Sequence, residues 1–439
     1  MASTVNQNIK PITTKRNELG NLEISGCDVV ELAKKYGTPL YVMDEVTLRQ
    51  IANEYKNAFS NYKKVNMMFA SKALMTSAIA QILHSEGFGF DVVSGGEIYT
   101  IKNAGVDMNF ATFNGSNKTS EEIEMALNYG IGRISVDNFY EIELLNEIAK
   151  KLNKTQKILL RITPGIECHT HEYIQTGNLD SKFGFDLSQI DEVIEIIKNY
   201  ENLEIKGLHA HIGSQIFETK VYYDEIEILI KETKRINDKF NLNLDEMNIG
   251  GGLGITYTKE DCPPSVYEIA DVIIKSIKEN CEKYNLDEPT LFIEPGRSIV
   301  GTAGVSLYTI GSSKIVPNLN KKYIAIDGGM ADNIRPAMYD AKYIAEIANK
   351  KENERKEIVT IAGRFCESGD ILIKEIELNS PKAGDILCVY NTGAYGYSMA
   401  SNYNRVLKPA MVLVNNAQSD IIIKRESFDQ LIQNDVLIK

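Results

Sequence analysis

Val65-Asn66-Met67-Met68-Phe69-Ala70-Ser71-Lys72-Ala73-Leu74 reads as a buried strand, Val65 to Ala70, that stops just before a lysine. Working outward from it, the same texture recurs. Apolar runs at Phe88–Val93, Phe110–Phe113, Arg133–Val136, Ile158–Ile162, Ile205–His211, Glu246–Ile249 and Leu291–Glu294 have strand length. Helical periodicity lies between nearly all of them, at Ile98–Ala104, Ser120–Tyr129, Phe139–Leu152, Leu187–Tyr200, Tyr222–Phe240 and Ser265–Tyr284. This alternation predicts an α/β architecture, a (β/α)8 barrel over residues 44–300; the competing arrangement is a doubly wound open sheet.

After Gly301 the pattern changes to short β-rich runs separated by turn residues: Val305–Ile310, Tyr323–Asp327, Glu357–Ala362, Ile386–Tyr390, Ala410–Val414 and Asp420–Ile423. They predict a second, mostly antiparallel β domain built from residues 301–439, with one helix near Ala341–Glu352. Residues 1–43 carry a strand of their own, Leu40–Met43, and are expected to join it. A chain of 439 residues with net charge −12 and no basic run argues against nucleic acid or an anionic membrane as partner. The polar stretch Met1 to Arg16 lacks the apolar core of a signal peptide. The six cysteines (27, 168, 262, 281, 366 and 388) include no C-x-x-C. Reduced thiols and a cytoplasmic location are expected.

In a barrel of this kind chemistry collects at the C-terminal ends of the strands. Read in order, those ends offer Lys72, then Asp91 with Ser94-Gly95-Gly96-Glu97, then Asn114 and Arg161. His209 and His211 follow with Gly213-Ser214, then Gly250-Gly251-Gly252, and last Glu294-Pro295-Gly296-Arg297. An amine, an acid and a glycine nest at separate strand ends suit a phosphorylated aldehyde cofactor. The lysine makes the Schiff base, the acid pairs a pyridinium nitrogen, and backbone N–H groups hold the phosphate. Each residue has a plainer reading alone. Lys72 is then a surface lysine, Asp91 a helix cap, the glycine triplet a tight turn, and Glu294 half of a salt bridge to a barrel arginine. The His209/His211 pair also resembles the metal-holding pairs of hydrolase barrels, but lacks Cys, Asp or Glu at ligand spacing, and no metal is expected. His211 is read as stacking on the cofactor ring and His209 as packing. His169 and His171 are read as solvated in the loop after the fifth strand.

In the second domain, Asp327-Gly328-Gly329-Met330 leads to Arg335-Pro336-Ala337-Met338-Tyr339. Gly363-Arg364-Phe365-Cys366-Glu367-Ser368-Gly369-Asp370 and Gly393-Ala394-Tyr395-Gly396 follow strands. Together they bring a cation, a thiol, an acid and a phenol to glycine-rich turns.

These pieces, with Arg161–Gly177, Ser181-Lys182-Phe183-Gly184 and His209-Ala210-His211-Ile212-Gly213-Ser214-Gln215, resemble the diaminopimelate decarboxylases. That family belongs to the alanine-racemase-like, ornithine-decarboxylase-like group of pyridoxal-phosphate enzymes. The likeness runs from Thr38-Pro39-Leu40-Tyr41 to Tyr395. It implies pyridoxal 5'-phosphate bound by Lys72, Asp91, His211, Ser214, Gly251, Gly252, Glu294, Pro295, Gly296, Arg297 and Tyr395. It implies substrate contacts from Arg297, Arg335, Tyr339, Glu367 and Tyr395. Lys72, Glu294, His211 and Cys366 are its catalytic set, with Cys366 the proton donor. Cys366 and Glu367 are implied to reach the site from a second subunit, making a homodimer with shared sites.

The implied reaction is decarboxylation of meso-2,6-diaminopimelate to L-lysine and CO2, the last step of lysine biosynthesis. The alternative is a related decarboxylase of ornithine, arginine or carboxynorspermidine. Racemases of the group carry an arginine beside the ring nitrogen, so Glu294 favours decarboxylation. The far end of diaminopimelate carries both an amine and a carboxylate. Glu367 with Arg297 and Arg335 matches both charges. Three departures stand out: Phe69 and Leu74 around Lys72, the variant Phe113-Asn114-Gly115-Ser116-Asn117-Lys118, and Arg364 where proline is common. Arg364 bears on the placement of the loop that carries Cys366 and Glu367.

Overall fold

The structure, a computed structural model, describes residues 2–166, 181–351 and 355–438. The chain folds into two compact units. One holds residues up to Thr4, Ala52–Gly254 and Pro263–Ser298; the other holds Val5–Ile51, Ile255–Cys262 and Ile299–Lys439.

In the first unit, eight parallel strands close on themselves. In spatial order they are Val65–Ala70, Gly89–Val92, Ala111–Phe113, Arg133–Val136, Gln156–Thr163, Leu203–His209, Glu246–Asn248 and Thr290–Ile293. The ring is completed where Ile293 pairs with Met67 and Ile134 pairs with Ile158. Strands buried on both faces read as continuous apolar runs, which is why the barrel shows in the sequence. Phe69, Phe90, Phe113, Ile134, Leu160, Leu208 and Phe292 are all essentially inaccessible.

Local signals set the helix limits. Thr119 and Glu122 form a capping box before Ser120–Tyr129, and Gly130 ends that helix in the left-handed region at φ 77°. Ser265 and Glu268 do the same for Val266–Tyr284, which ends on left-handed Asn285. The helix expected after the first strand begins a few residues beyond Lys72, at Ser77–Ser85, capped by Thr76.

The second unit is a mixed, largely antiparallel sheet. Its strands run Ile371–Asn379, Lys356–Ala362, Lys321–Ile326, Gly304–Val316, Leu40–Asp44, Ala410–Asn415 and Gln418–Ile423. Ile386–Val389 pairs with Gly304–Val316 and with Ala345–Ile347. That last strand corrects the expected helix at Ala341–Glu352. Its composition suits a helix, but Ala345 and Ile347 are buried while Glu346 turns to Lys10 and Arg16. The period is therefore two, and pairing with Ile386–Val389 overrides helix propensity. Glu352 lies outside the described residues. No helix among the described residues is long and apolar enough to cross a membrane.

Candidate active site

At the C-terminal ends of the barrel strands the residues form one connected polar layer. Glu294 follows the eighth strand and is 5% exposed. Asn248 Nδ2 donates to its Oε1 at 2.7 Å, and Asn114 Nδ2 donates to the same oxygen at 3.1 Å and also to Asp91. Asp91 therefore lies within this layer, and the helix Gly95–Asn103 is capped by Ser94 instead. Burial, reinforced by the Asp91 carboxylate, pushes the Glu294 carboxyl up to about 8, against the pull of Lys72. Burial also lifts Glu97, which accepts from the Val93 N–H, to about 7.

Lys72 sits in a single 3₁₀ turn, Ser71–Ala73, directly after the first strand. Its charge is felt by Glu294, Glu97, His209 and His211. His211 Nδ1 accepts the Gly251 N–H at 3.2 Å, so that nitrogen carries no proton. Desolvation, then the Lys72 and Arg161 cations, hold the imidazole pKa well below its usual value, which leaves a neutral ring. His209 does more than pack. Its Nδ1 shares a hydrogen bond with Ser135 Oγ at 2.8 Å, and its Nε2 lies 3.6 Å from Glu294 Oε2.

The glycine run forms a close-fitting cradle. A Cβ on Gly251 would meet the Glu294 carbonyl oxygen at 2.1 Å. Gly252, at φ +114°, would place one 2.8 Å from the Gly213 carbonyl oxygen. Arg297 Nη2 donates to Ser214 Oγ at 2.8 Å. Pro295 and Gly296 join Glu294 to this arginine, and the Ala70 N–H donates to the Pro295 carbonyl at 3.1 Å. A serine hydroxyl and a guanidinium beside a glycine run suit a phosphate. A buried carboxyl held by two amides suits a ring N–H, so the donor set fits pyridoxal phosphate.

Beside this layer lies a buried ion pair that the sequence reading missed. Lys118 Nζ donates to Glu141 at 2.7 Å and to the Gly115 and Ser135 carbonyls, each at 2.8 Å. Arg161 lies 3.6 Å from Asp137. Removing one member of a buried pair costs on the order of 3–5 kcal/mol. Glu225, in the helix Lys220–Phe240, is fully buried, and among the described residues neither carboxylate oxygen has a hydrogen-bond partner. Burial, with Glu294 nearby, raises its pKa well above the usual range. The unfolded chain releases this proton at the ordinary value and the folded one keeps it, so stability falls as pH rises past that value. Glu225→Met is expected to stabilise the protein at pH 8 by about 1–3 kcal/mol, measured by thermal unfolding, with a smaller gain at pH 5. An equal gain at both would show that ionisation is not involved.

The second unit has its own cluster. Arg335 opens the short helix Arg335–Tyr339 and is buried. Its Nη1 donates to Tyr257 Oη at 2.9 Å and Tyr343 Oη at 2.8 Å, and its guanidinium lies 6.0 Å from the Tyr395 ring centre. Tyr339 closes the same helix. Cys366 and Glu367 are exposed at the tip of the loop between Lys356–Ala362 and Ile371–Asn379. Arg364, one of the three departures, donates its backbone N–H to the Gly328 carbonyl at 3.0 Å, a bond proline cannot make. Cys168, His169 and His171 lie outside the described residues, as does most of Arg161–Gly177. Among the described residues no three His, Cys, Asp or Glu side chains are grouped to hold a metal ion.

The chain is similar to known proteins over nearly its whole length. The family described as "Pyridoxal-dependent decarboxylase, pyridoxal binding domain" matches residues 48–301. The diaminopimelate decarboxylase of Bacillus subtilis (strain 168) is 47% identical over 430 residues, 97% of this chain and 98% of its own length. That of Synechocystis sp. is 47% identical over 443 residues, 98% of this chain and 94% of its own. Among solved structures, the diaminopimelate decarboxylase of M. jannaschii matches with a TM-score of 0.91 at 37% identity, covering 98% of each chain.

Proposed function

The chain belongs to the diaminopimelate decarboxylases, within the pyridoxal-dependent decarboxylases, and on that premise we propose a role for each side chain of its site. The reaction is decarboxylation of meso-2,6-diaminopimelate to L-lysine and CO2, and the cofactor is pyridoxal 5'-phosphate. The cofactor supplies a pyridine ring that takes up the electron pair left when a carboxylate departs as CO2.

The observation that most supports the assignment is Glu294, a carboxyl fixed by Asn114 and Asn248 at the strand ends with a pKa raised to about 8. Placed at the ring nitrogen, it holds a proton there and keeps the ring an electron acceptor. Lys72 attaches the cofactor. Asp91 sets the charge beside Glu294. His211, neutral, covers one ring face. Ser214, Gly251, Gly252, Pro295, Gly296, Arg297 and Tyr395 surround the phosphate. Arg297, Arg335, Tyr339, Glu367 and Tyr395 recognise the substrate, the arginines at carboxylates and Glu367 at the distal amine. Cys366 Sγ gives a proton to the α-carbon that has lost its carboxylate.

In this reading residues 44–300 bind the cofactor, while 1–43 and 301–439 contribute substrate and interface residues. The enzyme is a cytoplasmic homodimer. The five described cysteines, all unpaired, support that location. Each active site takes Lys72 from one protomer and Cys366 with Glu367 from its partner.

Mixing tests the arrangement. Lys72→Ala and Cys366→Ala homodimers should each be nearly inactive in CO2 release from meso-diaminopimelate, with ornithine as the control substrate. After subunit exchange, half the dimers are mixed, and each mixed dimer has one site with both defects and one with neither. About a quarter of wild-type activity should return. Confirmed exchange without recovery would place Cys366 in its own chain's site. Faster release from ornithine by wild type would overturn the substrate roles.

A further inference from the structure

The loop bearing Cys366 is pinned firmly at its base. The Gly363 N–H donates to the Asp370 carbonyl at 2.9 Å, and the Asp370 carboxylate accepts the Phe365 N–H at 2.8 Å and the Met330 N–H at 2.7 Å. The tip is different: Cys366, Glu367, Ser368 and Gly369 are all exposed. A segment nearly forty residues later meets it there. Asn404 Oδ1 accepts the Cys366 N–H at 3.1 Å. Tyr403 Oη donates to Glu367 at 3.4 Å, and its ring lies 6.1 Å from that of Phe365.

The backbone of that segment is unusual. Asn404 has φ 52° and ψ 24°, and Arg405 follows at φ 58°, two successive non-glycine residues in the left-handed region. Asparagine tolerates that region better than most residues, whereas arginine has no such excuse, and the surroundings hold both in place. Asn402 Nδ2 donates to the Val406 carbonyl at 2.8 Å and to Glu426, which also accepts the Lys408 N–H at 3.0 Å. Arg405 reaches Asp435 at 2.7 Å. The segment is thus braced independently of the loop, and the strained turn aims one amide oxygen at the peptide N–H of Cys366.

We propose that Asn404 is a positioning residue for decarboxylation: its side-chain oxygen fixes the Cys366 peptide and so the line along which the thiol proton reaches the α-carbon. This rests on the reading of Cys366 as proton donor. In that step the C–C bond to the departing CO2 breaks and a C–H bond forms at the same carbon. The Cys366 S–H bond supplies the proton, and solvent reprotonates the thiolate. A peptide free to shift by about an ångström loses the alignment, a displacement worth up to about 10²-fold in rate.

Two substitutions separate the oxygen from the backbone. Asn404→Gly keeps the left-handed conformation and removes the acceptor; Asn404→Asp keeps both. In the holoenzyme Asn404→Gly should lower kcat about tenfold with little change in KM, and Asn404→Asp should restore it to within about threefold of wild type. Alkylation by iodoacetamide, read by peptide mass, should change at Cys366 relative to exposed Cys262 in the Gly variant alone. Asn404→Gly added to Cys366→Ala should slow the enzyme no further. Wild-type kcat in Cys366→Ala rejects the proton-donor reading itself. A slow Cys366→Ala with a fast Asn404→Gly rejects the role of Asn404. So does a slow Asn404→Gly whose effect adds to that of Cys366→Ala, or one that Asn404→Asp fails to rescue.

Discussion

Lys72→Ala protein should carry no cofactor that borohydride can fix to the chain, and should turn over meso-diaminopimelate on the order of 10³-fold or more slowly than wild type. Two losses coincide in this variant. The amine proposed to anchor the cofactor is gone, and so is the cation that opposes the carboxyls of Glu294 and Glu97. Lys72→Arg divides them: it keeps a positive charge at the strand end but offers no amine to attach. Equal inactivity in both variants assigns the effect to attachment. Activity near wild type in the arginine variant would leave Lys72 a purely electrostatic part. No other lysine is an obvious substitute. Lys118, buried beside the strand ends, already spends its three protons on Glu141 and two carbonyls. Borohydride trapping followed by peptide mass mapping reads the outcome, and a label at any other lysine overturns the assignment.

Glu294→Gln should lower kcat by about 10²-fold or more, roughly 2.7 kcal/mol or more of barrier. The amide preserves shape and can still meet Asn114 and Asn248, but cannot stabilise a protonated ring nitrogen. The cofactor-free protein should respond in the opposite direction. With the folded-state pKa raised to about 8, the carboxyl contributes stability that is complete below its unfolded value and lost as pH rises through about 8. Gln has no charge to bury, so cofactor-free Glu294→Gln should melt above wild type at pH 8.5, and the difference should close towards pH 5. Slow turnover with a raised melting point marks a functional carboxyl. Unchanged kcat would leave Glu294 a structural residue.

Much of this was legible in the chain because parallel strands buried on both faces leave unbroken apolar runs. The bounds expected for Val65–Ala70, Arg133–Val136 and Ser120–Tyr129 coincide with those observed. The polar residues that end such runs point to chemistry for a simple reason: solvation cost keeps them from a core without partners. What escaped reading lacks a local signature. Asn248 looks like one more residue of a short strand, and only the pairing of that strand with Thr290–Ile293 brings it to Glu294. Lys118 and Glu141 lie 23 positions apart, and each alone resembles a solvated charge. Ala345–Ile347 is a strand because of a partner some forty residues downstream. Asn404 depends on a backbone conformation that its neighbours impose and its identity only permits.

If Glu294 meets the ring nitrogen as proposed, its raised carboxyl would also tie the enzyme's lifetime to its vitamin. In the proposed arrangement a group that resists ionisation in the empty barrel would find its counter-charge at the ring nitrogen, so loading the cofactor would relieve a folding penalty as well as enable chemistry. Ligand at a hundred times its dissociation constant adds about 2.7 kcal/mol to the folded state. A cell short of pyridoxal would therefore hold less of this protein as well as less of its activity, because the unloaded chains open more often to proteases. Lysine supply would then track the vitamin pool through protein abundance, with no dedicated regulator.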